Sequence, residues 1–147
     1  IDILNLKNTT LYKDCAENVL HTLTQKYDLA LTSPPYYNLE IYSDEESQSL
    51  KEGLSYADWY DSFLKPVVYG VIDKLKEDGT SCWSVKNFKT DKSYSLYDDI
   101  VQLHHERGWY KIETEFFVGN SVRPGSKSID GQAKKSKEIT YVFKKYN

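Results

Sequence analysis

Residues 28–38 join a short apolar run to a rigid polar turn, with the sequence Asp-Leu-Ala-Leu-Thr-Ser-Pro-Pro-Tyr-Tyr-Asn. The apolar run predicts a short buried strand that ends at Thr32. Pro34 and Pro35 lack a backbone N–H and have a fixed φ, so the chain must leave the sheet at Ser33. A turn at the carboxyl end of a buried strand is where open α/β sheets bind their ligands.

The side chains of this turn suit a planar ligand that carries an exocyclic amino group. Ser33 offers a hydroxyl, the two proline carbonyls accept hydrogen bonds, and Tyr36 offers a flat ring of nucleobase size. Hydrogen bonds from both amino hydrogens to such acceptors would turn the nitrogen toward an electrophile. The turn therefore predicts catalysis by orientation and preorganised electrostatics, without a covalent intermediate.

The tetrapeptide Ser33-Pro34-Pro35-Tyr36 resembles the catalytic motif of the DNA amino-methyltransferases, which methylate adenine N6 or cytosine N4 from S-adenosylmethionine. The preceding strand and residues 11–15, Leu-Tyr-Lys-Asp-Cys, match the usual lead-in to that motif. The resemblance implies that these four residues are catalytic. Ser33 and Pro34 would orient the target amino group and border the cofactor, and Tyr36 would stack on the flipped base.

Three further residues around the turn each allow two interpretations. Asp14 follows a predicted strand at residues 9–14 and precedes a predicted helix at residues 15–25, so it suits an N-cap. The resemblance also implies that Asp14 contacts the adenine or ribose of the cofactor. Tyr37 and Asn38 would either line the DNA-base pocket or support the turn.

The rest of the chain alternates helices and strands. The patterns predict a helix that starts at Ser55 with a capping box, breaks or kinks at Pro66 and stops between Lys76 and Gly79, and then a strand at residues 80–85. A helix at residues 97–107, closed by Gly108, precedes strands at residues 109–118 and 139–143. This order predicts a single α/β domain over residues 1–147. Its open, mostly parallel, Rossmann-like sheet carries an antiparallel edge hairpin.

The charge is distributed unevenly along the chain. Residues 1–110 hold 11 Lys and Arg against 18 Asp and Glu, whereas residues 111–147 hold 8 against 4. Residues 120–137 are predicted to form a flexible basic loop between the edge strands. Salt-dependent contacts to double-stranded DNA are expected there from Arg123, Lys127, Lys134 and Lys135.

One feature departs from the family pattern. The resembling enzymes seat the methionine part of the cofactor in a Gly-x-Gly turn, but no two of the seven glycines here are separated by one residue. In the permuted class, that motif follows the last strand seen in this chain. The sheet is therefore expected to be incomplete, with the glycine-motif half in the same polypeptide or in a second subunit. Alone, the chain is expected to bind S-adenosylmethionine poorly and to be inactive.

The composition indicates the cellular compartment of the protein and argues against a metal site. No apolar run approaches the length of about 18 residues that a membrane span requires, and the two cysteines do not make a disulfide framework. These features predict a cytoplasmic protein. The adjacent His104 and His105 would point in different directions on a helix, so no metal site is expected.

The resemblance leaves several functions open. We expect a site-specific DNA methyltransferase of restriction–modification or phage type that flips its target base. Ser33 favours cytosine N4 over adenine N6, although serine occurs in both groups. The alternatives are a non-catalytic nucleic-acid-binding fragment or split subunit of such an enzyme, and an RNA or protein methyltransferase.

Overall fold

The computed structural model describes residues 7–39, 54–89, 92–118 and 138–146. Its helices are α1 (Ala16–Thr22), α2 (Tyr56–Trp59), α3 (Lys65–Asp73) and α4 (Leu96–His105), with a π-helical turn at Tyr60–Leu64 and a 3-10 turn at Tyr37–Leu39. Its strands are β1 (Tyr27–Thr32), β2 (Leu75–Val85), β3 (Phe88–Lys89), β4 (Ser93–Tyr94), β5 (Trp109–Val118) and β6 (Glu138–Lys145).

Four strands form the main sheet, in the order β1-β2-β6-β5. Strand β1 pairs with β2 in parallel, whereas β6 pairs with both β2 and β5 in antiparallel fashion. The α/β open sheet and its antiparallel edge hairpin are thus confirmed. Within the described strands, however, only one of the three pairings is parallel, which is a smaller share than the sequence predicts.

Helices α3 and α4 contact each other and pack against the sheet, and the core lies between them and its strands. Fully buried side chains from both layers fill this space, among them Leu64, Trp83, Ile100, Leu103 and Phe143. In the part of the chain that the structure describes, no helix is both long and apolar enough to cross a membrane.

Strand β1 is not buried on both faces as its apolar run predicts. Among the described strands it lies at one side of the sheet, and Leu29 and Leu31 are 57% and 69% exposed. These two leucines share a face because side chains alternate along a strand. A run of apolar residues cannot show whether the second face is covered.

The helix that begins after Ser55 confirms the predicted capping box. The Ser55 hydroxyl accepts from the Asp58 N–H, and the Asp58 carboxylate accepts from the Ser55 N–H. Pro66 lies in the first turn of α3, directly after the π-helical turn. The residues from Tyr56 to Asp73 are helical without a gap, so the chain changes helix type before Pro66 and is not interrupted there. The predicted end at Lys76–Gly79 is wrong, because the helix ends at Asp73 and β2 already begins at Leu75.

Two further predictions need correction. Residues 9–14 form no strand, and α1 is shorter than predicted, with Cys15 rather than Asp14 as its N-cap. The small antiparallel sheet of β3 and β4 was not predicted, because strands of two residues are too short to show a period. Residues 119–137, which include the predicted basic loop, lie outside the described residues.

Candidate active site

The Ser33–Tyr36 turn lies at the carboxyl edge of the sheet. Strand β1 ends at Thr32, which pairs with Trp83 in β2, and β2 ends two residues later at Val85. Because the two strands are parallel, their carboxyl ends lie at the same end of the sheet. The turn therefore has the position that the sequence predicts for a ligand-binding turn.

The residues of the turn differ sharply in exposure. Ser33 is exposed, Pro34 is buried and Pro35 is partly buried. Tyr36 is only 5% exposed, and its ring meets the ring of Phe88 edge-on with the centroids 5.8 Å apart. A base could stack on Tyr36 only after the groups that cover the ring have moved away.

Tyr37 turns the backbone sharply after the two prolines. Its φ of 40° lies in the left-handed region, which residues other than glycine rarely adopt and which is often found at functional sites. The side chain is 8% exposed, and its hydroxyl donates to the Leu54 carbonyl at 2.6 Å. These contacts favour the turn-supporting interpretation of Tyr37 over direct contact with DNA.

An aromatic cluster holds Tyr37 in this conformation. Its ring centroid lies 5.4 Å from Tyr56, 5.8 Å from Trp59 and 5.4 Å from Tyr94. Edge-to-face aromatic pairs contribute about 0.5–1.5 kcal/mol each beyond the burial of their area. The sequence indicates that Trp59 packs in the core, but it does not indicate that this core lies directly beneath the candidate catalytic turn.

Two buried polar atoms in this region have no hydrogen-bond partner within the described residues. They are the Asn38 Oδ1, which is an acceptor, and the Trp59 Nε1, which is a donor. An unpaired buried polar group costs about 1–3 kcal/mol. Within the described residues, the Asn38 side-chain oxygen is thus an acceptor without a donor, and the place of Asn38 in the pocket stays a prediction.

Asp14 lies at the start of α1. Its Oδ1 accepts from the Cys15 N–H at 2.7 Å and from the Asn18 amide at 3.1 Å. The hydrogen bond from Asn18, assisted by that from Cys15, holds the pKa of Asp14 below its ordinary value. Asp14 thus stabilises the helix start from one position before the cap, and its contact with a cofactor stays a prediction.

A serine–histidine pair elsewhere in the chain is structural. The Ser81 hydroxyl lies 3.0 Å from His104 Nε2, and both residues are completely buried. His104 Nδ1 lies 2.8 Å from the Ile100 carbonyl, which can only accept, so Nδ1 carries the proton and Nε2 accepts from Ser81. The Trp83 indole donates to the Ser81 hydroxyl, so every polar group is satisfied and none faces a ligand.

The predicted DNA-contact residues Arg123, Lys127, Lys134 and Lys135 lie outside the described residues. The strands on either side are described: Val118 pairs with Glu138, and the neighbouring Ile139 pairs with Val85. The end of β5 and the start of β6 therefore lie at the same edge as the Ser33–Tyr36 turn. Within the described residues, no three His, Cys, Asp or Glu side chains are grouped as a metal site.

The sequence profile of the DNA methylase family matches residues 27–147. The chain therefore belongs to the DNA methylase family. The matched region begins at β1 and includes the Ser33–Tyr36 turn. No curated protein sequence gives a significant match.

The solved structures that resemble this methylase chain include a protein of Thermus thermophilus that is provisionally assigned as a DNA modification methylase. One structure of that protein has a TM-score of 0.61 and 20% identity, with 91% of this chain and 53% of the other chain covered. Its complex with S-adenosyl-L-methionine has a TM-score of 0.58 and 18% identity, with coverage of 91% and 52%. At this identity the likeness shows the fold, and the chain spans about half the length of these neighbours.

Proposed function

We propose that this chain is the catalytic half of a DNA methyltransferase that transfers a methyl group from S-adenosylmethionine to an exocyclic amino group. The observation that carries the proposal is the Ser33–Tyr36 turn at the carboxyl edge of the sheet, beside the end of β2. Membership of the DNA methylase family and the cofactor bound to the T. thermophilus neighbour support it.

The residues present suit the amino-group side of the reaction. Ser33 is an exposed residue whose hydroxyl can accept a hydrogen bond, and Asn38 has a buried side-chain oxygen without a partner among the described residues. Acceptors at such positions would orient the two amino hydrogens and direct the nitrogen lone pair away from them. With the cofactor bound, the nitrogen so oriented would accept the methyl group from sulfur and release one proton to water.

The residues present suit the cofactor only in part. S-adenosylmethionine supplies an activated methyl group on sulfur when it is bound. Asp14, Ser33 and Pro34 are the residues that we propose to border it, but the sequence contains no Gly-x-Gly turn for its methionine part. The second half, in the same polypeptide or a separate subunit, would provide that turn.

The proposed substrate is a base flipped out of double-stranded DNA, because an amino group inside the duplex is not accessible to the turn. Ser33 favours cytosine N4 over adenine N6 as the target. The proposed setting is a cytoplasmic enzyme of restriction–modification or phage type.

The burial of Tyr36 favours one alternative, a nucleic-acid-binding module that retains the turn without catalysis. Both functions are tested by expressing the whole gene in a bacterial host without DNA methylases and analysing its nucleosides by mass spectrometry. We expect N4-methylcytosine. N6-methyladenine would contradict the choice of base, whereas unmodified DNA, with the protein folded and expressed, would contradict the enzymatic proposal.

A further inference from the structure

A small basic hairpin lies beside the candidate catalytic turn. It comprises residues 86–89 and 92–94, contains β3 and β4, and directly follows the carboxyl end of β2. We refer to these residues as the basic hairpin. The hairpin and the turn share one edge of the sheet, because β1 and β2 are parallel and end at neighbouring positions.

Aromatic side chains fix the basic hairpin to the turn. Phe88 pairs with Tyr94 across the two strands, and their rings stack with the centroids 5.1 Å apart. Phe88 also contacts Tyr36, at 5.8 Å, and Tyr94 contacts Tyr37, at 5.4 Å. A two-stranded hairpin is only marginally stable by itself, so these contacts determine where it lies.

A hydrogen bond holds the base of the hairpin. The Asn87 Oδ1 accepts from the Tyr97 N–H at 2.9 Å, near the start of α4. A group bound to the hairpin would therefore lie at a defined distance from Ser33.

The hairpin is positively charged within an acidic part of the chain. Lys86 is partly buried, and Lys89 and Lys92 are exposed. Residues 86–94 contain these three lysines and one carboxylate, Asp91, whereas residues 1–110 as a whole have seven more acidic than basic side chains. The Asp99 carboxylate in α4 accepts a hydrogen bond from the Tyr56 hydroxyl, so it has a partner other than these lysines.

Lysines at the opposite end of the sheet are already paired. A cavity of about 230 Å³ there is lined by Lys76 and Lys145, among others. Lys76 binds Asp28 at 2.6 Å, and Lys145 binds Glu77. Strand β2 is in continuous register with β1 only from Thr80, and the six residues from there to Lys86 span about 20 Å, so the two lysine groups lie at opposite ends of the strand.

We infer that the basic hairpin, through Lys89 and Lys92, binds the phosphate backbone of the DNA whose base enters the Ser33–Tyr36 turn. The inference rests on the proposed function and adds a contact surface distinct from residues 120–137. Exposed lysines held at a fixed place beside the turn suit sequence-independent phosphate contacts, which position a protein on the duplex. Phe88 belongs to the hairpin and contacts the Tyr36 ring, so DNA bound to the hairpin would lie close to a side chain that covers this ring.

The experiment measures binding of the whole protein to a fluorescein-labelled 20-base-pair duplex by anisotropy, at a series of sodium chloride concentrations. For Lys89→Gln/Lys92→Gln we expect the slope of log K against log [salt] to become shallower by about 1.8, since each lysine that no longer neutralises a phosphate reduces it by about 0.9. Lys89→Arg/Lys92→Arg should restore the slope. The matched control is Lys76→Gln/Lys145→Gln, which should leave it unchanged.

The outcomes separate this inference from the proposed function. If the wild-type protein binds DNA and the hairpin variant keeps the wild-type slope, the inference is wrong and the proposed function stands. Equal reductions of the slope in the hairpin and control variants would show a diffuse charge effect and also contradict it. If the folded wild-type protein does not bind duplex DNA at low salt, both proposals fail.

Discussion

At the scale of single residues, the side chain that most directly tests the proposed chemistry is Tyr36. Stacking of a base on an aromatic side chain contributes about 1–3 kcal/mol, which corresponds to about a 5- to 150-fold change in binding. We expect Tyr36→Leu to lower DNA methylation by that factor, and Tyr36→Phe, which keeps the ring, to stay close to the wild-type rate. Incorporation of a labelled methyl group by the whole enzyme measures this effect.

The control for Tyr36→Leu must remove a comparable core ring away from the turn. Phe63→Leu is suitable, because Phe63 is 8% exposed and packs against Trp59 in the same core. Equal activity losses in the two variants, at equal thermal stability, would show that Tyr36 acts only through packing.

His104 links stability to pH. Burial, opposed by the hydrogen bond to Ile100 and assisted by His105, lowers the pKa of His104 from 6.5 to about 4. Between these two values the unfolded chain binds a proton that the native protein does not, so stability present above about pH 6.5 is lost as the pH falls toward 4. A shift of this size corresponds to about 3 kcal/mol.

Urea unfolding at pH 7 and pH 4.5 measures this loss. In His104→Gln the non-titrating amide removes the His104 contribution, so the difference in unfolding free energy between the two pH values should become smaller by about 2–3 kcal/mol. An unchanged difference would show that other groups control acid stability.

At the scale of elements, Gly108 confirms the helix end that the sequence predicts. It follows α4 with a φ of 73°, and a Cβ added there would meet no atom within 4 Å. The cost of Gly108→Ala is therefore conformational, about 1 kcal/mol, and thermal unfolding should show it. Gly108→Asn should recover part of the loss, because asparagine tolerates this conformation. Equal stability of the alanine variant would contradict this account.

Predictions based on local chemistry were confirmed, because a few neighbouring residues contain the whole signal. The Ser55 capping box and the end of the strand before Pro34 are of this kind. Apolar periodicity misplaced the helix end at Lys76, because the start of β2 follows Asp73 after a single residue.

Features that depend on the tertiary fold could not be predicted from the sequence. The exposure of Leu31 depends on which strands lie beside β1, and the burial of Tyr36 depends on a hairpin some fifty residues away in the chain. For the same reason the sequence indicated the Ser33–Tyr36 turn but not its support by Tyr56 and Tyr94.

At the scale of the whole molecule, the lack of a glycine motif predicts a low affinity of this chain for its cofactor. The 147 residues include the proposed amino-group acceptors but no Gly-x-Gly sequence. We therefore expect isothermal titration of this chain with S-adenosylmethionine to show affinity weaker than the low-micromolar range. Low-micromolar binding would show that these residues seat the methionine part by another route.

The free edge of β1 gives the second prediction at this scale. Within the described sheet, β1 has a partner on one side only, and its Leu29 and Leu31 are exposed. An unpaired edge strand with apolar side chains promotes association between chains, and lysine on such a strand prevents it. We expect the mass of the purified chain, measured by light scattering, to rise with concentration.

The test of this edge compares Leu29→Lys/Leu31→Lys with Tyr146→Lys. The double variant should remain monomeric at concentrations where the wild type associates. Its unfolding free energy should change by no more than about 1 kcal/mol, since both side chains face solvent. Tyr146 is also exposed, at 67%, but follows β6 at the opposite end from the turn, so its variant should associate like the wild type. A wild-type chain that stays monomeric at high concentration would show that the edge of β1 does not attract a partner strand.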